Sequence, residues 1–188
     1  MLHSAVHPGF SNLHGVGIIA MRDIPIGTAV WWPCPRCTVL PIGQQVLAPP
    51  NVLRWLAEFG YRRADGGLIA PCRGAYLLNH SCDATVLDVG LSVGLAVRDI
   101  RRGEEVTGDY RGFRYEDPWS FACLCGTARC TGTVSATAGE PPRELIAAWS
   151  ERLRPALTAA PNVPQETTVL GGDIHGVTGI GWASDHAG

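Results

Sequence analysis

Residues 123 to 130, CLCGTARC, set three thiols in a C-x-C-x4-C pattern within eight positions. Three sulfurs so close are seldom a packing choice, because each bulky side chain would need its own pocket. As ligands of one zinc ion they can converge, with Gly126 turning the chain between Cys125 and Cys130. A structural zinc site closes as a tetrahedron of four ligands, so this segment is one short. The fourth has to come from a distance: from Cys34, Cys37, Cys72, Cys82 or a histidine. A separate pair, Cys34 and Cys37 in CPRC, has the spacing of a zinc knuckle or a redox dithiol. No second C-x-x-C completes a knuckle and no βαβ pattern surrounds the pair, so both are read as ordinary thiols in a turn beside Trp31 and Trp32.

Chemistry crowds a second time in YLLNHSCDATV, residues 76 to 86, where Asn79, His80, Ser81 and Cys82 follow an apolar run. A strand end normally needs one or two turn-forming residues. Four polar or reactive groups in a row imply that each meets a specific partner.

The elements that must position these groups are mostly short strands. GVGIIAMRDIPIGTAVWW (15 to 32) reads as two strands joined by a Pro25–Gly27 turn; GGLIAP and AYLLN, LSVGLAVRDI and EEVTGDY read as further strands. Turn signals recurring about every ten residues predict a mostly β fold. Apolar residues at 52, 53, 56 and 59 predict one short helix over 51 to 62, capped by Asn51. Leu145, Ile146, Trp149, Leu153 and Leu157 repeat at three- and four-residue steps, predicting a second helix over 141 to 157 behind two prolines. Residues 160 to 188, rich in Gly, Thr and Pro, are expected to form a flexible or loosely packed tail.

The totals narrow the function classes. A chain of 188 residues, 46% apolar and 17% charged, can bury one core of its own. The net charge of -2 carries no signature of a nucleic-acid binder, and no apolar run approaches the roughly 18 residues that span a bilayer. MLHSAVHPGF lacks the basic start and apolar run of a signal peptide, and a cytoplasmic location is expected. In that reducing compartment seven cysteines point to metal ligation or reduced thiols. All 15 basic residues are arginine and lysine is absent, a bias that fits a GC-rich, bacterial genome. These 188 residues therefore carry no side-chain primary amine.

Four stretches, taken in order, resemble the SET-domain lysine methyltransferases: HGVGIIAMRDIPIGTAV (14 to 30), NHSC (79 to 82), AVRDIRRGEEVTGDY (96 to 110) and FACLCGTARCTG (121 to 132). The resemblance covers roughly residues 8 to 133. It implies a fold of short curled sheets with a pseudoknot, a short inserted helix and a C-terminal helix. It divides the chain into a SET catalytic domain (1–118), a post-SET zinc segment (119–135), a C-terminal helix (136–159) and the tail (160–188). The implied activity is methyl transfer from S-adenosylmethionine to a lysine of a protein substrate, by a chain with no membrane or nucleic-acid partner that is expected to be a monomer. By the resemblance, Gly15, Val16, Gly17, Asn79, His80 and Phe121 lie against the methyl donor, Tyr110 is catalytic and also touches it, and Cys82 joins Cys123, Cys125 and Cys130 around a structural zinc. Asp109 and Glu104 are expected to support turns and hydrogen bonds.

The chain departs from the family at several points. Tyr76 and Leu77 replace an Arg-Phe pair, Ala84 and Thr85 replace Pro and Asn after NHSC, and Trp32 and Pro33 stand where Glu-Tyr is common. Gly108 stands where many members carry Phe or Tyr, which leaves room for more than one methyl group per nitrogen. Two other readings stay open: methylation of a small-molecule amine, and a zinc-stapled binding module without catalysis.

Overall fold

The computed structural model describes residues 2–32, 37–62, 67–71, 74–89, 93–112, 119–135 and 141–167. In chain order the first elements are β1 (Val6–Phe10), β2 (Val16–Ala20), β3 (Ala29–Trp31), β4 (Val39–Leu40), α1 (Ile42–Gln45), α2 (Pro50–Phe59), β5 (Tyr61–Arg62) and β6 (Leu68–Ile69). They are followed by β7 (Asn79–His80), β8 (Val86–Val89), β9 (Val93–Ala96), β10 (Glu105–Gly108), β11 (Ser120–Ala122), β12 (Thr133–Ser135) and α3 (Arg143–Ala159). The strands assemble as β1-β2-β10-β7, β3-β9-β8, β4-β6-β5 and a β11-β12 hairpin, the mostly β architecture expected.

The two strands expected on either side of Pro25–Gly27 are present but do not pair with each other. β2 lies between β1 and β10, whereas β3 pairs with β9. AYLLN is corrected: Ala75–Leu77 is a 3-10 turn, Leu78 is extended, and the paired strand begins only at Asn79. Tyr76 in this turn packs against Trp55 and Phe59 of α2, with ring centroids 5.8 and 5.9 Å away, so aromatic contact outweighs strand propensity there. Asn51 does not cap α2. Pro49 is the flanking residue and Pro50 the first helical one, where its missing N–H costs nothing.

The sheet β3-β9-β8 is buried on both faces, which explains the unbroken apolar run VGLA in β9. Val86 and Ala96 pack with Ile18, Ile24 and Val106 of the first core. Their neighbours Leu87 and Leu95 pack with Trp149, Leu153 and Ala156 of α3 in the second, as alternation along a strand requires. Helix α3 starts and ends two residues later than the periodicity predicts, and runs through Pro155 although that residue has no N–H to donate.

The expected loose tail is corrected in its first part. Ala160 is buried. Gln165 accepts from the Ala29 amide at 2.9 Å and donates to the carbonyls of Gly27 and Ala160 at 2.9 and 3.0 Å. Glu166 accepts from the amide and hydroxyl of Ser4. The remainder, 168–188, lies outside the described residues. No helix among those described is long and apolar enough to cross a membrane.

Candidate active site and metal centre

The parallel pairing of β7 with β10 builds the site. It aligns Thr107 with Asn79 and Gly108 with His80, and the Ser81 amide donates to the Gly108 carbonyl at 2.9 Å. Tyr110, two residues beyond Gly108, thereby emerges beside His80, with ring centroids 5.4 Å apart. Its amide donates to His80 Nδ1 at 3.0 Å, and its hydroxyl donates to the Leu78 carbonyl at 2.5 Å.

These contacts define the state of His80. Nδ1 accepts a hydrogen bond, so the ring proton sits on Nε2, facing Cys82 Sγ at 3.3 Å. Burial pushes the imidazole pKa down to about 4, against the opposing pull of Asp109, so the ring is neutral near pH 7. Both ring nitrogens are thus engaged by the protein, and the side chain links Tyr110 to Cys82. Any contact with a methyl donor is left to the ring carbons and backbone of His80.

Asn79 holds the glycine-containing loop. Its Nδ2 lies 3.1 Å from Ser11 Oγ, 3.0 Å from the His14 carbonyl, 3.3 Å from the Val16 carbonyl and 2.9 Å from Glu105 Oε1. Ser11 Oγ in turn donates to Glu105 at 2.8 Å and accepts from the amides of Leu13 and His14. Gly17 is required by this network: a Cβ there would collide with the Glu105 carboxylate and stand 3.0 Å from Asn79 Nδ2. Gly15, with φ of 53°, has open space at its Cβ position.

Gly108 is also closely approached. A Cβ there would lie 3.1 Å from Leu78 Cδ2, so an aliphatic side chain stands beside this position. On the other side of Tyr110, Phe121 and Trp119 stack at 5.6 Å with 17° between their planes. Phe121 meets His80 edge-on at 5.7 Å and Tyr110 at 6.1 Å. Trp119, the residue before β11, was not singled out from sequence.

The four predicted ligands converge. The Sγ atoms of Cys82, Cys123, Cys125 and Cys130 all lie within 4.8 Å of one another, with Cys82 and Cys123 at 3.8 Å. Zinc–sulfur bonds of about 2.3 Å in a tetrahedron put sulfurs about 3.8 Å apart, so the donor set fits zinc in kind, number and spacing. Burial opposes ionisation of Cys125, but hydrogen bonds, led by those of the Thr127 hydroxyl and amide, outweigh it and bring the thiol down to about 6, while burial pushes its neighbour Cys123 up to about 12. Cys82 and Cys123 are buried together with Val134, and Tyr110 and Trp119 pack on this cluster, so the four thiols and the aromatic site share a wall. Cys37 is not among the four; Cys34 and Cys72 lie outside the described residues.

Asp109, Arg111, Glu105 and Leu78 were not proposed as site residues from sequence. Asp109 was expected only to support hydrogen bonds, which it does, with its carboxylate held by Arg111 at 2.8 and 2.6 Å. Glu104 likewise caps a turn, accepting from the Arg101 amide at 3.0 Å.

Comparison with known proteins gives one family and two similar proteins. The family described as SET domain matches residues 15–111, just over half of the chain. A segment of 73 residues, 35% of the chain, is 38% identical to an Arabidopsis thaliana protein named histone-lysine N-methyltransferase ATX2, of which it covers 7%. A solved structure of a Plasmodium falciparum "putative histone methyltransferase" overlaps 58% of this chain and 95% of its own, at 19% identity and a TM-score of 0.43.

Proposed function

Since the chain belongs to the SET-domain family, we propose that it is a protein-lysine N-methyltransferase that uses S-adenosylmethionine. The observation that carries this reading is the position of the Tyr110 hydroxyl. It is held on the Leu78 carbonyl at 2.5 Å, beside the buried His80 and against the four-cysteine cluster. With its proton committed to Leu78, the phenol oxygen keeps lone pairs for the N–H of an incoming amine.

Gly15, Val16, Gly17, Asn79, His80 and Phe121 would hold the methyl donor, with Tyr110 at the reacting end. S-adenosylmethionine supplies an electrophilic methyl group on a sulfonium, which the amine displaces in line. A lysine ammonium has no lone pair and must first lose its proton. The aromatic walls formed by Tyr110, Trp119 and Phe121 favour that loss by desolvating the charged form. Tyr110 then orients the neutral amine, and alignment is the main requirement of such a displacement. Zinc on Cys82, Cys123, Cys125 and Cys130 would be structural, with no open position for water. It would fasten the β11-β12 hairpin to the strand that bears His80. The acceptor lysine lies on another molecule or outside these 188 residues, which contain none.

The test is transfer of labelled methyl from S-adenosylmethionine into a host lysate separated by size, with Tyr110→Phe as control. Label in a protein band that disappears with the variant supports the reading. Label confined to small molecules points to a small-molecule amine acceptor, and none at all to a binding module.

A further inference from the structure

Helix α3 lies beyond the residues that match the family, yet one of its side chains reaches the site. Trp149 Nε1 donates to Asp109 Oδ2 at 2.9 Å, and Asp109 is the residue immediately before Tyr110. The Asp109 side chain is 1% exposed. Such a carboxylate is stable only when its oxygens are satisfied, and here each is bonded twice. Oδ1 accepts from the Arg111 amide and Nε at 3.1 and 2.8 Å; Oδ2 accepts from Arg111 Nη2 at 2.6 Å and from Trp149. Arg111 Nη2 also donates to the carbonyl of the predicted zinc ligand Cys82, at 3.2 Å. A second contact runs the same way: Arg152, one turn further along α3, donates to the Ala84 carbonyl and lies 3.3 Å from Asp83.

We propose that Trp149 is a positioning residue for methyl transfer, and that α3 is a working part of the catalytic unit. The inference rests on the reading of Tyr110 as the catalytic tyrosine. The indole N–H fixes the Asp109 carboxylate, which orients Arg111. Together they define the 3-10 turn Tyr110–Gly112 and the direction in which the phenol leaves the chain. Packing alone does not require this bond, because a phenyl ring would fill most of the same buried volume.

The experiment compares Trp149→Phe, which removes the N–H and keeps a ring, with Leu153→Ala, which removes apolar packing from the same helix and leaves the bond to Asp109 in place. Steady-state kinetics at a temperature well below either melting point are read beside hydrogen exchange. Trp149→Phe is expected to lower kcat by about tenfold or more with KM for S-adenosylmethionine little changed. It should also speed amide exchange at 109–112 relative to 86–96 by about tenfold. Leu153→Ala is expected to lower the melting temperature more, while kcat stays within about twofold. Equal losses of kcat in both variants, or unchanged kcat and exchange in Trp149→Phe, would overturn the proposal. Exchange does not depend on turnover. An inactive wild type whose exchange still responds at 109–112 would therefore count against the methyltransferase reading while keeping the coupling between Trp149 and the turn.

Discussion

Tyr110 and His80 hold each other through the backbone: the Tyr110 amide donates to His80 Nδ1 at 3.0 Å, which turns the Nε2 proton toward Cys82. Tyr110 and the four-cysteine cluster are thus linked through His80. Removing only the phenol hydroxyl leaves this link intact. Tyr110→Phe is expected to reduce kcat by about 100-fold or more, while costing only ~1 kcal/mol of stability through the lost bond to Leu78. Steady-state kinetics and thermal unfolding of one preparation measure both; near-normal turnover would remove Tyr110 from the mechanism.

Gly17→Ala places a methyl group on the Glu105 carboxylate, which must then leave Ser11 and Asn79. Disrupting this part-buried network is expected to cost about 1–3 kcal/mol and to weaken S-adenosylmethionine binding more than it slows transfer at saturation. Calorimetric titration with the methyl donor checks the first effect on affinity. Unchanged affinity would mean that the loop does not contact the donor.

Metal removal should act on the hairpin first. Prolonged chelation, or Cys82→Ser, is expected to release one equivalent of zinc per chain and to loosen residues 119–135 while β8 and β9 keep their protection. The four sulfurs sit in a cluster separate from the two apolar cores, so the cores do not depend on them. Metal analysis of the purified protein that finds no zinc would refute the assignment.

Acid should destabilise the fold through the buried His3, although the protonated ring would still face Glu166 at 3.4 Å. His3 is buried, and burial lowers its pKa below the ordinary value despite the opposing charge of Glu166. The unfolded chain takes up the proton near pH 6.5, the folded chain only below that. The associated stability is therefore present above about pH 6.5 and is lost as pH falls below it. His3→Gln is expected to flatten this part of the stability curve, measured as urea midpoints from about pH 7.5 to 5. Parallel curves would show that His3 is not the titrating group.

Product multiplicity tests the neighbourhood of Gly108. With a leucine rather than a ring beside the amine position, the wild type is expected to add more than one methyl group. Leu78→Phe should shift product toward monomethyl-lysine, at a cost of about 1–3 kcal/mol for overpacking a buried site. Intact mass of a peptide product with excess methyl donor reads the distribution. Monomethylation alone in the wild type would reject the expectation.

The grouping of the four thiols was legible because it is written in residue type and spacing: three thiols in eight positions suggest a fourth as metal ligands, and the resemblance named Cys82. The face of α3 was legible for a similar reason, since burial of Trp149 and Leu153 follows from a helical period. Local signals failed where a distant partner outweighed propensity. AYLLN became a turn because Tyr76 packs on α2, and residues 160–167 are fastened through Gln165 and Glu166 to Ala29 and Ser4, more than 130 positions away.

The sequence by itself determined which chemical groups these 188 residues offer: a set of thiols of metal-ligand type, a tyrosine at the end of GDY, and no lysine. Only the tertiary structure decided how those groups are coupled. Asn79 turned out to hold the loop of Gly15–Gly17, His80 to bridge Tyr110 and Cys82, and Trp149 to grip Asp109. Residue type and short-range spacing specify what a group can do. The Tyr110–His80 bond, between positions 30 apart, exists only after the parallel pairing of β7 with β10 has brought the strands together. The Trp149–Asp109 bond, between positions 40 apart, exists only after α3 has packed against the sheet.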